Sequence, residues 1–148
     1  MPLIGPSLVT STFFHRPSPD SRASLIYTLT HRSILAAINP KDGQLVWRQS
    51  LADGPLAAGN GVARGGDGVI VAATGTSIGS FDAGNGRLVW ENEFSKRAID
   101  LRVTSDNAVA VLFEDGAVSM LDKQTGDVTW QWKGLDGYVA HRPSYWPT

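Results

Sequence analysis

The side chains best suited to chemistry in this chain are three histidines, which lie far apart in the sequence. They are His15, His31 and His141, and none lies within metal-ligand spacing of another histidine or of a pair of carboxylates. His15 adjoins a proline-rich loop and His31 falls in a predicted hairpin turn, so both are interpreted as exposed loop residues. No Gly-x-Ser-x-Gly nucleophile elbow occurs. The sequence therefore predicts no catalytic residue, no cofactor-binding residue and no metal site.

Glycines next to aspartates form the second pattern that could bind a ligand. The run Gly65-Gly66-Asp67-Gly68 could cradle a phosphate only between a strand and a helix, and no helix is predicted after it. A β-turn is the favoured interpretation of this run. Asp-Gly pairs begin at Asp42, Asp67, Asp115 and Asp136, where hydrogen bonds within a turn account for the carboxylates.

The charged residues give little sign of a polyanionic partner. Five arginines give the first half of the chain a mild basic bias: Arg16, Arg22, Arg32, Arg48 and Arg64. A solvated face and a patch that meets an acidic partner are both open interpretations. The net charge of −1, with both signs mixed along the chain, gives no electrostatic case for nucleic acid or an anionic membrane. Cysteine is absent, so a disulfide, a thiol nucleophile and a thiolate metal site are excluded.

Length and hydrophobicity are those of a globular domain. The chain has 148 residues, of which 42% are hydrophobic and 18% charged, so it can bury one core. No apolar run approaches the ~20 residues that span a bilayer. Residues 1–11 lack the basic and apolar regions of a signal peptide. The sequence alone assigns no compartment.

A stretch of ten residues occurs three times and supplies the elements that position these side chains. The copies are 38–47, 81–90 and 121–130, each with an apolar residue, Asn or Asp, a polar turn, a glycine and a tryptophan. Trp47 and Trp90 are 43 residues apart, and Trp90 and Trp130 are 40 apart. This period is typical of a β-propeller blade. The repeat positions predicted to be structural are Asn39, Gly43, Trp47, Asp82, Gly86, Trp90, Asp122, Gly126 and Trp130.

Each repeated residue has an expected structural role. The Asn or Asp ends a strand and accepts a backbone N–H two residues on, and the glycine takes a positive φ in the hairpin. On the return strand, Leu45, Leu88 or Val128 is expected on the same face as the tryptophan two residues later. The tryptophan is expected to dock on the neighbouring blade and to be substantially buried. Stacking of three equivalent rings on a cofactor is the disfavoured alternative.

Strand and turn patterns predict an all-β fold, a partial β-propeller of about three four-stranded antiparallel blades. The single domain, 1–148, divides into blades at about 12–54, 55–97 and 98–133, with an irregular tail at 134–148. Val69–Ala73 is a continuous apolar run suited to a strand covered on both faces, and no helix is predicted. Because propellers typically close with ~4–8 blades, the sequence predicts a piece of a larger protein.

The repeat carries a family resemblance. The unit [Ile/Phe/Leu]-[Asn/Asp]-x-x-x-Gly-x-[Leu/Val]-x-Trp resembles the blade repeat of the quinoprotein-like propellers. These include pyrroloquinoline quinone dehydrogenases, the bacterial outer-membrane β-barrel assembly lipoprotein and the luminal propeller of the endoplasmic reticulum (ER) membrane protein complex. Over most of residues 12–133 the chain is similar to the N-terminal region of the fungal largest subunit of that complex. The segments that carry this similarity are Thr12–Pro19, Ser24–Thr30, Asn39–Gly43 and Val46–Gln49.

The resemblance implies a non-catalytic scaffold propeller on the luminal side of the ER membrane that supports insertion and folding of transmembrane proteins. The implied partners are the other subunits of the complex and the missing blades of its own propeller, with no cofactor and no membrane span in this chain. Two alternatives remain. A fragment of a quinoprotein dehydrogenase would need a quinone pocket, a Ca²⁺ site and a catalytic Asp. A bacterial outer-membrane assembly propeller should carry a lipoprotein cysteine, which is absent.

Overall fold

The computed structural model describes residues 7–21, 23–51 and 61–133, which form twelve β-strands in three separate sheets. Each sheet has four strands, and each strand pairs antiparallel with the next one along the chain. No helix occurs in this described part of the chain. The predicted fold class, a partial propeller of four-stranded antiparallel blades, is confirmed.

Blade one is the first sheet. It contains β1 (Ser7–His15), β2 (Leu25–Thr30), β3 (Ile34–Ile38) and β4 (Leu45–Ser50). Its first strand begins within residues 1–11, for which the sequence predicts a loop or a fragment of a strand. A tight turn at 31–33 joins β2 to β3, and Ser33 takes a positive φ of 65° there.

Blade two is the second sheet. It contains β5 (Gly61–Gly66), β6 (Val69–Thr74), β7 (Ser77–Asp82) and β8 (Leu88–Glu93). The glycine-rich run falls at the first hairpin, where residues 67 and 68 form the turn between β5 and β6. The β-turn interpretation of that run is therefore correct. Residues 56–60 of the strand predicted at 56–63 lie outside the described residues.

Blade three is the third sheet. It contains β9 (Ala98–Val103), β10 (Ala108–Phe113), β11 (Val118–Asp122) and β12 (Val128–Trp132). The predicted irregular tail at 134–148, with His141 and Asp136 in it, lies outside the described residues.

The central strand β6 shows how the blades are held together. Alternate residues of a strand point to opposite faces, and both faces of β6 are covered. Ile70 and Ala72 join the apolar cluster shared with blade one, whereas Val71 and Ala73 join the cluster shared with blade three. All four are buried. Blade two therefore contributes one strand to two cores, as the uninterrupted apolar run in its sequence predicts.

The first and last strands of each blade have different surroundings. Strand β5 contacts both β1 and β9, so the first strands of the three blades lie side by side. This is the arrangement of strands next to a propeller axis. Strands β4, β8 and β12 are instead the outer edges of their sheets.

A β-bulge occurs at the same place in each outer strand. Leu45 pairs with Ile38 and Trp47 with Ala37, so Val46 has no partner across the ladder, and blades two and three repeat this shift. Because a bulge adds a residue, the alternation of faces does not continue across it. Trp47 is buried while Leu45 and Val46 are exposed. The expectation that Leu45, Leu88 and Val128 share a face with the following tryptophan is therefore wrong.

Candidate interaction site

The hairpin turn before each outer strand has one hydrogen-bonding pattern in all three blades. The side-chain oxygens of Asn39, Asp82 and Asp122 accept the backbone N–H two residues on, at 2.9, 2.8 and 2.8 Å. The carbonyl of each of these residues also accepts the N–H of the turn glycine at 2.8 Å. The turn glycines Gly43, Gly86 and Gly126 take φ values of +73°, +76° and +78°, which a residue with a Cβ adopts only at a cost.

The tryptophan of blade one docks on the turn of blade two. The Trp47 ring lies against Gly86 so closely that an added Cβ would be 2.5 Å from the ring atoms Cδ2 and Cε3. Its indole N–H donates to the carbonyl of Ala83 at 3.0 Å, and Gln49 donates through Nε2 to the carbonyl of Gly86 at 2.7 Å. Trp47 is 8% exposed. The ring thus binds the next turn by both packing and hydrogen bonding.

The tryptophan of blade two repeats this dock on blade three. An added Cβ at Gly126 would again lie 2.5 Å from the Trp90 ring, and the indole N–H donates to the carbonyl of Lys123 at 2.6 Å. Asn92 donates to the carbonyl of Gly126 at 2.9 Å. The turn glycine therefore has a second role that the sequence reasoning missed, since its bare Cα makes room for the indole of the preceding blade.

The third tryptophan corrects an expectation. Trp130 holds the equivalent position in β12, but it is 50% exposed, so the prediction that it is buried is wrong. The reason is geometric, because each ring docks on the turn of the following blade and no further turn of this kind is among the described residues. At the other end, a Cβ added to Gly43 would meet no atom within 4 Å. The described chain thus shows two occupied docks, one undocked ring and one open turn.

Tyr27 is a part of the first dock that sequence reasoning missed. It is fully buried, and its hydroxyl donates to the Ala83 carbonyl at 2.8 Å, the same oxygen that Trp47 binds. Its ring lies 5.8 Å from that of Phe13 and 6.0 Å from that of Trp47. Burial, followed by the negative charge of Asp82, raises the pKa of Tyr27 to about 12. In the sequence, Tyr27 is one aromatic residue in an ordinary strand pattern and carries no signal of this contact.

Two residues interpreted as exposed are in fact used between blades. His15 is half-buried at the end of β1, and its ring nitrogen Nε2 is 2.5 Å from the carbonyl oxygen of Gly66. Arg64 forms an ion pair with Asp100 at 3.1 Å that joins β5 to β9. The interpretations of His15 as an exposed loop histidine and of Arg64 as part of a basic face are therefore wrong. His31 lies in the turn at 31–33 and is half-buried.

The aspartates before glycines serve their turns. Asp42 accepts the N–H of Gln44 at 2.9 Å, and Asp115 accepts that of Ala117 at 3.0 Å. Asp115 also pairs with Lys96 at 2.7 Å, and hydrogen bonding to Lys96 lowers the pKa of this carboxyl. Among the described residues, no group of three His, Asp or Glu side chains could hold a metal ion. The repeated polar groups of the described blades bind their own backbone.

Comparison with known families identifies this architecture. A family model described as the EMC1 N-terminal β-propeller domain matches residues 7–139. The chain belongs to that family. Its residues 134–139 continue the match beyond β12, and the three described blades lie inside it. No individual curated protein matches the chain at a significant level. Within the described residues, the EMC1-family chain has no helix long and apolar enough to cross a membrane.

Solved structures similar to this EMC1-family chain are propellers. BamB from Moraxella catarrhalis has a TM-score of 0.62 and 22% identity, covering 77% of this chain and 34% of its own length. The computationally designed protein Ika4 has a TM-score of 0.70 and 15% identity, with 87% and 74% covered. A europium-containing methanol dehydrogenase has a TM-score of 0.60 and 16% identity, with 72% and 22% covered. The chain thus spans about a third of the length of BamB, and these likenesses show the fold alone.

Proposed function

We propose that this chain is a non-catalytic scaffold, part of the luminal propeller of the largest subunit of the ER membrane protein complex. In this role it supports the insertion and folding of transmembrane proteins by holding other subunits in place. The observation that carries the proposal is the match of the EMC1 N-terminal propeller family to residues 7–139.

The use of the repeated side chains supports a scaffold. Trp47, Trp90 and Tyr27 spend their polar atoms on backbone carbonyls of the next blade, where they fix the position of one sheet relative to another. Packing of this kind produces a rigid surface on which partners can bind. The proposed partners are the other subunits of the complex and the remaining blades of the same propeller. The division of the domain at about 12–54, 55–97 and 98–133 is part of this proposal.

The experiment uses the full open reading frame that contains this chain, with an affinity tag, in its own host. The tagged protein should co-purify with the other subunits of the complex, and protease protection in sealed microsomes should show the propeller on the luminal side. Trp90→Ala, which removes a dock, should reduce co-purification, whereas Phe14→Ala, at a residue 67% exposed, should not.

Two results would overturn the proposal. One is purification of the tagged protein without other subunits of the complex, or its digestion by protease in intact microsomes. The other is turnover of an alcohol by the purified protein after addition of pyrroloquinoline quinone and calcium, which would favour the dehydrogenase alternative.

A further inference from the structure

Strand β12 differs from the other two outer strands. All five of its residues, Val128–Trp132, are exposed, whereas β4 and β8 each bury their tryptophan. Two positions after that tryptophan, blades one and two carry an amide, Gln49 or Asn92, that binds the next turn. Blade three has Trp132 at this position, and it is 44% exposed. The outer edge of blade three therefore presents two large rings where the other blades present one amide.

The charges along the three edges also differ. Natural sheets protect exposed edges with charged side chains. Strand β4 carries Arg48, and β8 carries Glu91 and Glu93, but β12 carries no charge at all. Its charges stand at the two flanks, Asp127 before the strand and Lys133 after it. Both are exposed, and neither forms an ion pair within the described part of the chain.

We propose that two copies of this chain associate through β12, aligned antiparallel about a two-fold axis at Trp130. This alignment sets Asp127 of one copy opposite Lys133 of the other, and symmetry makes that ion pair twice. Val128 then lies opposite Trp132, and the two Trp130 rings meet at the centre. Aromatic–aromatic, aromatic–β-branched and opposite-charge pairs are those that stabilise neighbouring antiparallel strands. The sequence of this edge is complementary to itself when it is reversed.

The geometry of β12 sets the strength of the contact. The bulge at Thr129 interrupts the regular backbone ladder, so the side chains contribute most of the binding. A single strand edge is smaller than the interface of a permanent dimer, and a dissociation constant on the order of micromolar is expected. The contact is separate from the docks, because it uses the outer edge of the sheet and not the turn at Gly43.

The test is sedimentation velocity of the 148-residue chain over a range of concentrations. The unmodified chain should form a closed dimer. Lys133→Glu and Asp127→Lys each replace two attractive pairs by two repulsive ones, and each should raise the dissociation constant about tenfold. An equimolar mixture of these two variants should dimerise again, because every pair across the mixed interface is then opposite in charge. Arg48→Glu, the matched reversal on the exposed part of β4, should change nothing.

The charge swap also protects the test against misfolding. A chain that carries both substitutions should dimerise like the unmodified chain, since its charges have only exchanged places. The proposal is overturned if the unmodified chain stays monomeric at about 100 micromolar, well above the expected constant. It is equally overturned if neither single reversal weakens the dimer, if neither the mixture nor the double variant restores it, or if the chain forms open-ended polymers.

Discussion

Alanine at the three turn glycines should measure the docks one by one. All three positions have nearly the same positive φ, so alanine imposes a similar backbone strain of roughly 1–2 kcal/mol at each. At Gly86 and Gly126 the new Cβ would also lie 2.5 Å from an indole ring, and at Gly43 it would meet nothing within 4 Å. The three substitutions are therefore matched in strain and differ in the contact with a tryptophan.

The clash sets the expected difference. Overpacking a filled site typically costs ~1–3 kcal/mol, so Gly86→Ala and Gly126→Ala should each lower the free energy of unfolding by ~2–5 kcal/mol. Gly43→Ala should lower it by only ~1–2 kcal/mol. Domains of this kind are marginally stable, at ~5–15 kcal/mol, so the larger losses amount to a substantial fraction of the total.

Urea unfolding followed by far-ultraviolet circular dichroism gives these free energies from the midpoint and slope of each transition. Slopes equal to that of the unmodified chain would show that the native state keeps its compactness. Equal losses at all three glycines would mean that strain alone acts, and would refute the docking explanation. A loss at Gly126 with none at Gly86 would restrict the dock to one pair of blades.

Three further outcomes follow from buried contacts, each measured by urea midpoints. Trp90→Ala should cost ~3–5 kcal/mol and Trp130→Ala about 0.5 or less, because only the first ring is docked; equal losses would contradict this. The raised pKa of Tyr27, about 12 against 10.0, favours the neutral phenol in the native state, so stability should be full below pH 10 and fall between pH 10 and 12. Tyr27→Phe should flatten that fall, and an unchanged profile would argue against it. Arg64→Ala should cost ~1–3 kcal/mol because it strands a mostly buried carboxylate, while Arg97→Ala, in an exposed ion pair, should cost under about 1; a larger loss at Arg97 would reverse the argument.

Local patterns in the sequence were sufficient for the strands. Leu25–Thr30 and Ala108–Phe113 are apolar runs bounded by turn residues, and both are strands with those same limits. The tryptophan period was sufficient for the repeat, because each blade copies the same hairpin. These features depend on residues close together in the chain, which a single sequence displays directly.

Features that depend on contacts between distant residues were not predictable in this way. The bulge at Val46 depends on how β3 and β4 align, and apolar alternation does not reveal an extra residue. The seat that Gly86 offers to Trp47 joins positions 39 residues apart. Trp130 was mistaken for a buried ring because its local sequence matches that of Trp90, and burial is decided by the following blade. The charge of Arg64 is visible in the sequence, but its partner in β9 is not.

The direction of the docks has a consequence for the chain while it is being synthesised. Trp47 binds Gly86 and Trp90 binds Gly126, so each indole waits for a turn that emerges later from the ribosome. At ~5–20 residues per second, the ~40 residues of a repeat take ~2–8 s to translate. A blade completed on the ribosome therefore keeps its ring uncovered for seconds, until the next turn arrives. At every stage of elongation the growing end carries the one bare indole, and the blades already made carry none. Cotranslational folding of such a chain advances like a ratchet, one repeat at a time from the N-terminus.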